Sequence, residues 1–239
     1  SETGTDFYNE RQRVEIDVIK SLEVDEAYGV GNNGEIKDVT FGLYAAEELT
    51  AADGTTIPAD ELIEVIFLDE NGHGKAVSDL PMGSYYVQEI KTNSAYLISD
   101  ERYPVVFEYA GQETAVVSIT VNEGEAIVNE LIYGSVSGRK SNEDGEDLGG
   151  ALIGIFQTGT TEYTKENAIA TATSEDDGSF SFAEVPYGTW VIREIESPKG
   201  YVLSEEEISV TISEIDEVVE IELVNYFITG NIALTKVDK

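Results

Sequence analysis

Three times along this chain an asparagine is followed eleven positions later by a lysine: Asn9 and Lys20, Asn129 and Lys140, Asn225 and Lys236. Each lysine closes an alternating run. The runs read Val14-x-Ile16-x-Val18-x-Lys20, Val136-x-Gly138-x-Lys140 and Ile232-x-Leu234-x-Lys236. A period of two indicates a strand with one buried face, and in each run the lysine shares the parity of the buried residues. Lysine is almost never fully buried without a partner. The asparagines sit on the same kind of face. Val219, Ile221, Leu223 and Asn225 share one parity, while Glu220 and Glu222 take the other. Ile127 matches Asn129, and Phe7 matches Asn9. The chain must therefore fold into strand-built repeats whose cores accommodate a lysine and an asparagine.

The spacing also sets the domain plan. Each asparagine ends one domain, and the lysine that follows lies in the first strand of the next. Residues 11–132 form one unit and residues 133–228 a second. Residues 1–10 are then expected as the last strand of a preceding domain, and residues 229–239 as the first strand of a following one. Tandem units of this kind stack through short joints. Inside each unit, short apolar runs alternate with turn signals. Val39, Phe41 and Leu43 alternate in the first, Leu152 and Phe156 lie in the corresponding run of the second, and Asp69-Glu70-Asn71-Gly72 and Asp176-Asp177-Gly178 mark turns. A matched block follows, Leu80-Pro81-Met82-Gly83-Ser84-Tyr85-Tyr86-Val87-Gln88-Glu89 against Val185-Pro186-Tyr187-Gly188-Thr189-Trp190-Val191-Ile192-Arg193-Glu194. In it Glu89 shares parity with Tyr85 and Val87, and Glu194 with Trp190 and Ile192. Tyr96 and Tyr201 come seven residues after these glutamates. Many short strands and no long amphipathic helix predict an all-β chain of two tandem immunoglobulin-like β-sandwich domains.

Each complete unit is thus expected to bury a lysine, a glutamate and an asparagine: Lys20, Glu89 and Asn129 in the first, Lys140, Glu194 and Asn225 in the second. Burying charge without compensation is costly. A Lys–Glu salt bridge with asparagine beside it is the plainer explanation. The chemical one is that an apolar site favours the free amine and the neutral acid. A free amine is a nucleophile, and a protonated glutamate can polarise the asparagine amide and pass protons as ammonia leaves. Holding the groups together turns a very slow amide exchange into an intramolecular step. The product is a neutral amide, formed once per domain.

The residues that carry a family resemblance are Gly134-x-Val136-x-Gly138-x-Lys140, Leu148-Gly149-Gly150-Ala151 and Asp177-Gly178-Ser179-Phe180-Ser181-Phe182. Glu194-Ile195-Glu196-Ser197-Pro198-Lys199-Gly200-Tyr201 and Leu223-Val224-Asn225 complete them. Together they resemble the Cna B-type, SpaA-like prealbumin domains of Gram-positive adhesins and pilins. The resemblance implies a prealbumin-like β-sandwich whose first and last strands are joined by a lysine–asparagine isopeptide bond. In the second unit it implies Lys140 and Asn225 as the cross-linked pair and Glu194 as the proton shuttle. In the first unit Lys20, Asn129 and Glu89 align with those positions. The first unit departs from the pattern: Thr92-Asn93-Ser94-Ala95-Tyr96 replaces the Pro-x-Gly-Tyr turn, and its middle is longer around residues 46–59.

Composition narrows the remaining choices. A formal net charge of −34 repels phosphate backbones and anionic lipid heads, which argues against nucleic acid or a membrane as partner. The absence of cysteine removes disulfides, thiol nucleophiles and thiolate metal sites. The single histidine, His73, is expected in a loop, with nothing nearby to make a triad. No apolar run approaches a membrane span, and no signal peptide or sorting motif is visible. No cofactor and no metal site is expected, and a monomer is. The acidic stretch Asn142-Glu143-Asp144-Gly145-Glu146-Asp147 lacks a full calcium loop and reads as a solvated turn. The expected role is structural, a self-locked stalk or shaft segment of an extracellular, cell-wall-anchored protein whose anchor lies outside these residues, and not an enzyme. Two alternatives remain. A ligand-binding adhesin domain would meet a host matrix protein or glycan and could use Tyr86, Tyr103, Tyr109 and Tyr163. A sortase-polymerised pilin backbone would need an acceptor lysine, for which Lys37, Lys75, Lys91, Lys165 and Lys199 sit in no convincing context.

Overall fold

A computed structural model describes residues 11–230, and within them regular structure is strand apart from short 3-10 turns such as Glu35–Asp38. These residues separate into two compact units, one of residues 11–24 and 29–131 and one of residues 25–28 and 132–230.

The first unit opens with β1 (Arg13–Leu22), followed by β2 (Thr40–Ala45), β3 (Leu49–Thr50), β4 (Thr56–Ile57) and β5 (Leu62–Phe67). β6 (His73–Ala76), β7 (Gly83–Lys91), β8 (Arg102–Phe107), β9 (Val116–Thr120) and β10 (Ile127–Asn129) complete it. One sheet has the order β5-β2-β7-β8 and is antiparallel throughout. In the other, β1 pairs antiparallel with β6 and parallel with both β9 and β10. β3 and β4 form a small hairpin within the long middle segment. The alternation read from sequence appears directly as burial. Val14, Ile16, Val18 and Lys20 point inward, and they meet Phe41, Leu43, Tyr85, Val87, Val105 and Phe107 from the opposite sheet.

The second unit repeats the plan with fewer pieces: β11 (Tyr133–Asn142), β12 (Leu152–Gln157), β13 (Ala170–Thr173), β14 (Ser179–Pro186), β15 (Gly188–Glu196), β16 (Ile208–Ile212) and β17 (Val218–Asn225). Its sheets are β14-β11-β17 and β13-β12-β15-β16. The first and last strands, β11 and β17, are again parallel neighbours. In the first unit the equivalent last strand is divided into β9 and β10 by a tight turn at Val121–Gly124.

One expectation is corrected. His73 does not lie in a loop but opens β6 opposite Ile19, because the Asp69–Gly72 turn is already closed by the Gly72 N–H to the Asp69 carbonyl. In β12 the residues opposite the glutamate strand on the core side are Ile153 and Ile155, both fully buried, while Leu152 is only half-buried. Phe156 is buried through a different contact, edge-on against Tyr163.

Candidate functional site

The pairing register places the lysine and the asparagine identically in the two units. Lys20 lies opposite Ile127, two residues before Asn129, and Lys140 lies opposite Leu223, two residues before Asn225. The two side chains are therefore diagonal neighbours on the inner face of one sheet. The glutamate comes from the other sheet, Glu89 opposite Phe41 and Glu194 opposite Ile153. All six of these polar residues are at most 4% exposed.

In the first unit the Lys20 Nζ donates to the Asn129 Oδ1 at 2.6 Å. The Asn129 Nδ2 donates to both oxygens of Glu89, at 2.8 and 3.0 Å, and to the Thr92 Oγ1 at 2.9 Å. Burial lowers the Lys20 amine from its ordinary 10.5 to about 8, against the opposing attraction of Glu89. Two surface cavities reach this site. One of about 320 Å³ is lined by Lys20, Gly34, Glu35 and Asn71, and one of about 170 Å³ by Leu97, Ser99, Val128 and Asn129.

In the second unit the same residues meet with a different hydrogen-bond pattern. The Lys140 Nζ donates to the Leu223 carbonyl at 3.1 Å and sits 3.7 Å from the Glu194 Oε1, an ion-pair contact too long for a hydrogen bond. The Asn225 Nδ2 donates to the Glu194 Oε2 and to the Val202 carbonyl, each at 2.9 Å. The Asn225 Oδ1 and the Glu194 Oε1 are buried acceptors with no hydrogen-bond donor. Burial lowers the Lys140 amine as well, with Glu194 and Glu206 pulling the other way. Buried acceptors are normally hydrogen-bonded, so these two oxygens carry a desolvation cost that the site does not offset.

Two features of the site have no counterpart in the sequence reading. The first is a β-bulge beside each glutamate. Thr40 pairs with Lys91 and Phe41 with Glu89, which leaves Ile90 unmatched, and Leu152 pairs with Glu196 and Ile153 with Glu194, which leaves Ile195 unmatched. The bulge follows each glutamate, whose inward face the strand alternation already sets, and it interrupts the ladder and bends the strand just beyond it. The second is a backbone clamp. The Ser99 N–H donates to the Glu89 Oε2 at 3.0 Å, and the Ser204 N–H to the Glu194 Oε2 at 2.8 Å. The sequence signal for it is the parallel between Tyr96-Leu97-Ile98-Ser99 and Tyr201-Val202-Leu203-Ser204.

Asn9 and Lys236 lie outside the described residues. The four tyrosines considered as a ligand surface are not one patch. Tyr86 and Tyr103 are buried, Tyr86 being stacked on Tyr44 beneath the Arg102 guanidinium. Tyr163 packs against Phe156 and Arg193, and Tyr109 is exposed. Among the acceptor-lysine candidates, Lys75 is paired with Glu15 and Asp17. In the acidic stretch, the Asn142 Oδ1 accepts from the Asp144 and Glu146 N–H groups, which closes it as a turn. Among the described residues no group of three or more His, Asp or Glu is placed to hold a metal ion, and no helix is long and apolar enough to cross a membrane.

A family model for the SpaA prealbumin-like fold domain matches the chain twice, over residues 19–123 and 134–226. Among solved structures, the chain is similar to the Bacillus anthracis TIE protein, with 17% identity and a TM-score of 0.63 over 91% of this chain and 34% of that one. It is also similar to a C-terminal fragment of the pilus adhesin SpaC from Lactobacillus rhamnosus GG, with 12% identity and a TM-score of 0.55 over 93% of this chain and 100% of that one. The chain thus spans about a third of the length of the Bacillus protein. At these identities the likeness is one of fold. Comparison with curated protein sequences gives no match.

Proposed function

The chain belongs to the family of SpaA prealbumin-like fold domains, and on that premise we propose that it is a stalk segment of a Gram-positive cell-surface protein whose two domains each lock themselves with a lysine–asparagine isopeptide bond. The observation that carries this reading is the convergence, twice and in one register, of a buried lysine, glutamate and asparagine. That a solved neighbour of the same fold is a pilus adhesin fragment supports a surface role. The domain limits proposed are residues 11–132 and 133–228.

The chemistry follows from the groups present. The neutral amine of Lys20 or Lys140 attacks the amide carbon of Asn129 or Asn225. Glu89 or Glu194 takes the proton that the amine sheds and returns one to the departing nitrogen, which leaves as ammonia. The product removes the charge of the buried lysine, and with it the penalty that burial imposes on the amine. The reaction runs once per domain, so the chain is its own substrate and there is no turnover.

The parallel pairing of first and last strands explains what such a bond would do. Tension applied to the two ends of a domain would shear β1 against β10, or β11 against β17. A link from Lys20 to Asn129 would carry the load across that seam, and residues 21–128 would fall outside the load path. A Lys140–Asn225 link would do the same for residues 141–224. Intact mass spectrometry tests the proposal. Loss of two ammonias from the sequence mass, mapped to Lys20–Asn129 and Lys140–Asn225 linked peptides, is the expected result, and an unchanged mass overturns it.

A further inference from the structure

Resting on the cross-link reading of the first unit, we infer that Thr92 is a positioning residue for that reaction, its hydroxyl holding the departing nitrogen of Asn129 so that the amide presents its oxygen to Lys20. A primary amide carries two N–H hydrogens on one planar nitrogen. In the first unit both are taken. One faces the Glu89 carboxylate and the other faces the Thr92 Oγ1 at 2.9 Å. With both committed, the amide has one orientation available, and its Oδ1 meets the Lys20 Nζ at 2.6 Å. Turned over, the amide would set its nitrogen against the lysine, donor against donor.

Thr92 stands immediately after β7, three residues beyond Glu89, so the strand that supplies the proton shuttle also supplies the second acceptor. The equivalent position in the second unit, three residues beyond Glu194, is Ser197. It too bears a hydroxyl but spends it on the Tyr201 carbonyl at 3.1 Å. There the Val202 carbonyl holds the second N–H of Asn225 instead. Both units therefore fix the leaving nitrogen with the glutamate plus one further acceptor. In the first unit that acceptor is a side chain, which substitution can remove.

The step balances within the site. A bond forms between the Lys20 Nζ and the Asn129 Cγ, and the Cγ–Nδ2 bond breaks. The Nδ2 departs as ammonia, carrying a proton that began on the lysine amine and passed through Glu89. Thr92 is not consumed; it keeps the Nδ2 beside the Glu89 oxygens while that transfer occurs.

The test compares the two bonds inside one molecule. Chains made in a short synthesis pulse are quenched into denaturant at successive times, digested, and scored for the Lys20–Asn129 and Lys140–Asn225 linked peptides. In Thr92→Val, which keeps the shape and removes the hydroxyl, the first linkage is expected to form roughly tenfold more slowly while the second keeps its rate. Thr92→Ser, which keeps the hydroxyl and removes the methyl, is expected to form both at the wild-type rate. It reads the hydroxyl even if the valine variant folds poorly. A wild-type rate in Thr92→Val, or a rate in Thr92→Ser as slow as in Thr92→Val, overturns the role of Thr92 and leaves the cross-link reading standing. Absence of the Lys20–Asn129 linkage from the wild-type chain overturns that reading and Thr92 with it.

Discussion

The two sites hold the same three residues in the same strand register, yet their hydrogen bonds differ. In the first unit the lysine rests on the asparagine oxygen. In the second it rests on a backbone carbonyl, and the asparagine oxygen has no donor. The strands are not the source of the difference, since the register is common to both. The segment after the glutamate is. In the second unit Ser197-Pro198-Lys199-Gly200 turns through a left-handed Gly200 (φ 96°), which carries the Val202 carbonyl onto the Asn225 amide. In the first, Asn93 closes a turn on Ala95 and Tyr96, and Thr92 is left to face Asn129. Register places reactive groups within reach, and the adjoining turn decides which atom meets which.

The largest expected effect asks whether the two sites reach the same end point. If both proposed cross-links form, Asn129→Ala and Asn225→Ala should each abolish one and each restore one ammonia to the mass. Closing a loop on the order of 100 residues with a covalent bond contributes roughly 4–5 kcal/mol through the unfolded state, by the measure used for disulfides. Each variant should lose about that much stability in its own domain, read as a separate thermal transition beside an undisturbed one. If only Asn129→Ala moves a transition, the hydrogen-bond difference is a difference in outcome, and the second site does not react.

The next effect exposes the amine that the bond would consume. In Asn129→Ala, Lys20 remains a buried amine. With Asn129 in place burial lowers it to about 8, and in the variant the same burial should keep it below the ordinary 10.5 of the unfolded chain. Between those values the unfolded chain binds a proton that the folded domain does not, so stability rises as pH climbs from about 8 to 10.5 and is level below 8. The rise should amount to at most about 3 kcal/mol. A cross-linked wild-type domain has an amide there and should lack that component. Urea midpoints of variant and wild type across this window make the comparison. A variant whose difference from wild type stays flat across it would mean that Lys20 is not held as a depressed amine.

How much of this was legible in the sequence depends on whether side chains or backbone carry it. The inward lysines, glutamates and asparagines were legible because strand parity alone fixes their face. The bulges at Ile90 and Ile195 and the Ser99 and Ser204 N–H clamps were not, because every residue has the same backbone groups and no letter marks the one that is used. A compensated swap is equally hidden in the letters. Val18 in β1 faces Gly74, whereas at the matching place Gly138 in β11 faces Phe180, so bulk and space have changed strands. A Cβ on Gly138 would lie 2.0 Å from the Phe180 ring. Gly138→Ala should therefore destabilise the second domain by about 2 kcal/mol, and pairing Gly138→Val with Phe180→Gly should recover part of what Gly138→Val alone loses. Additive losses in the double variant would show that the two units do not share this packing rule.

The smallest effect separates the units by burial alone. Each carries an arginine over a tyrosine ring at 4.4 Å, Arg102 on Tyr86 and Arg193 on Tyr163, and each arginine also reaches an acid, Asp60 or Glu207. The geometry is the same, but the Arg102 side chain is 57% exposed and that of Arg193 is 18% exposed. Water screens the first contact more than the second, and a desolvated guanidinium gains more from the ring face. Arg193→Ala should cost about 1 kcal/mol and Arg102→Ala no more than about 0.5 kcal/mol, with added salt narrowing the gap. The measurement is the denaturant midpoint of each domain in low and high salt. Equal losses would mean that ring geometry, and not water exclusion, sets the strength of these contacts.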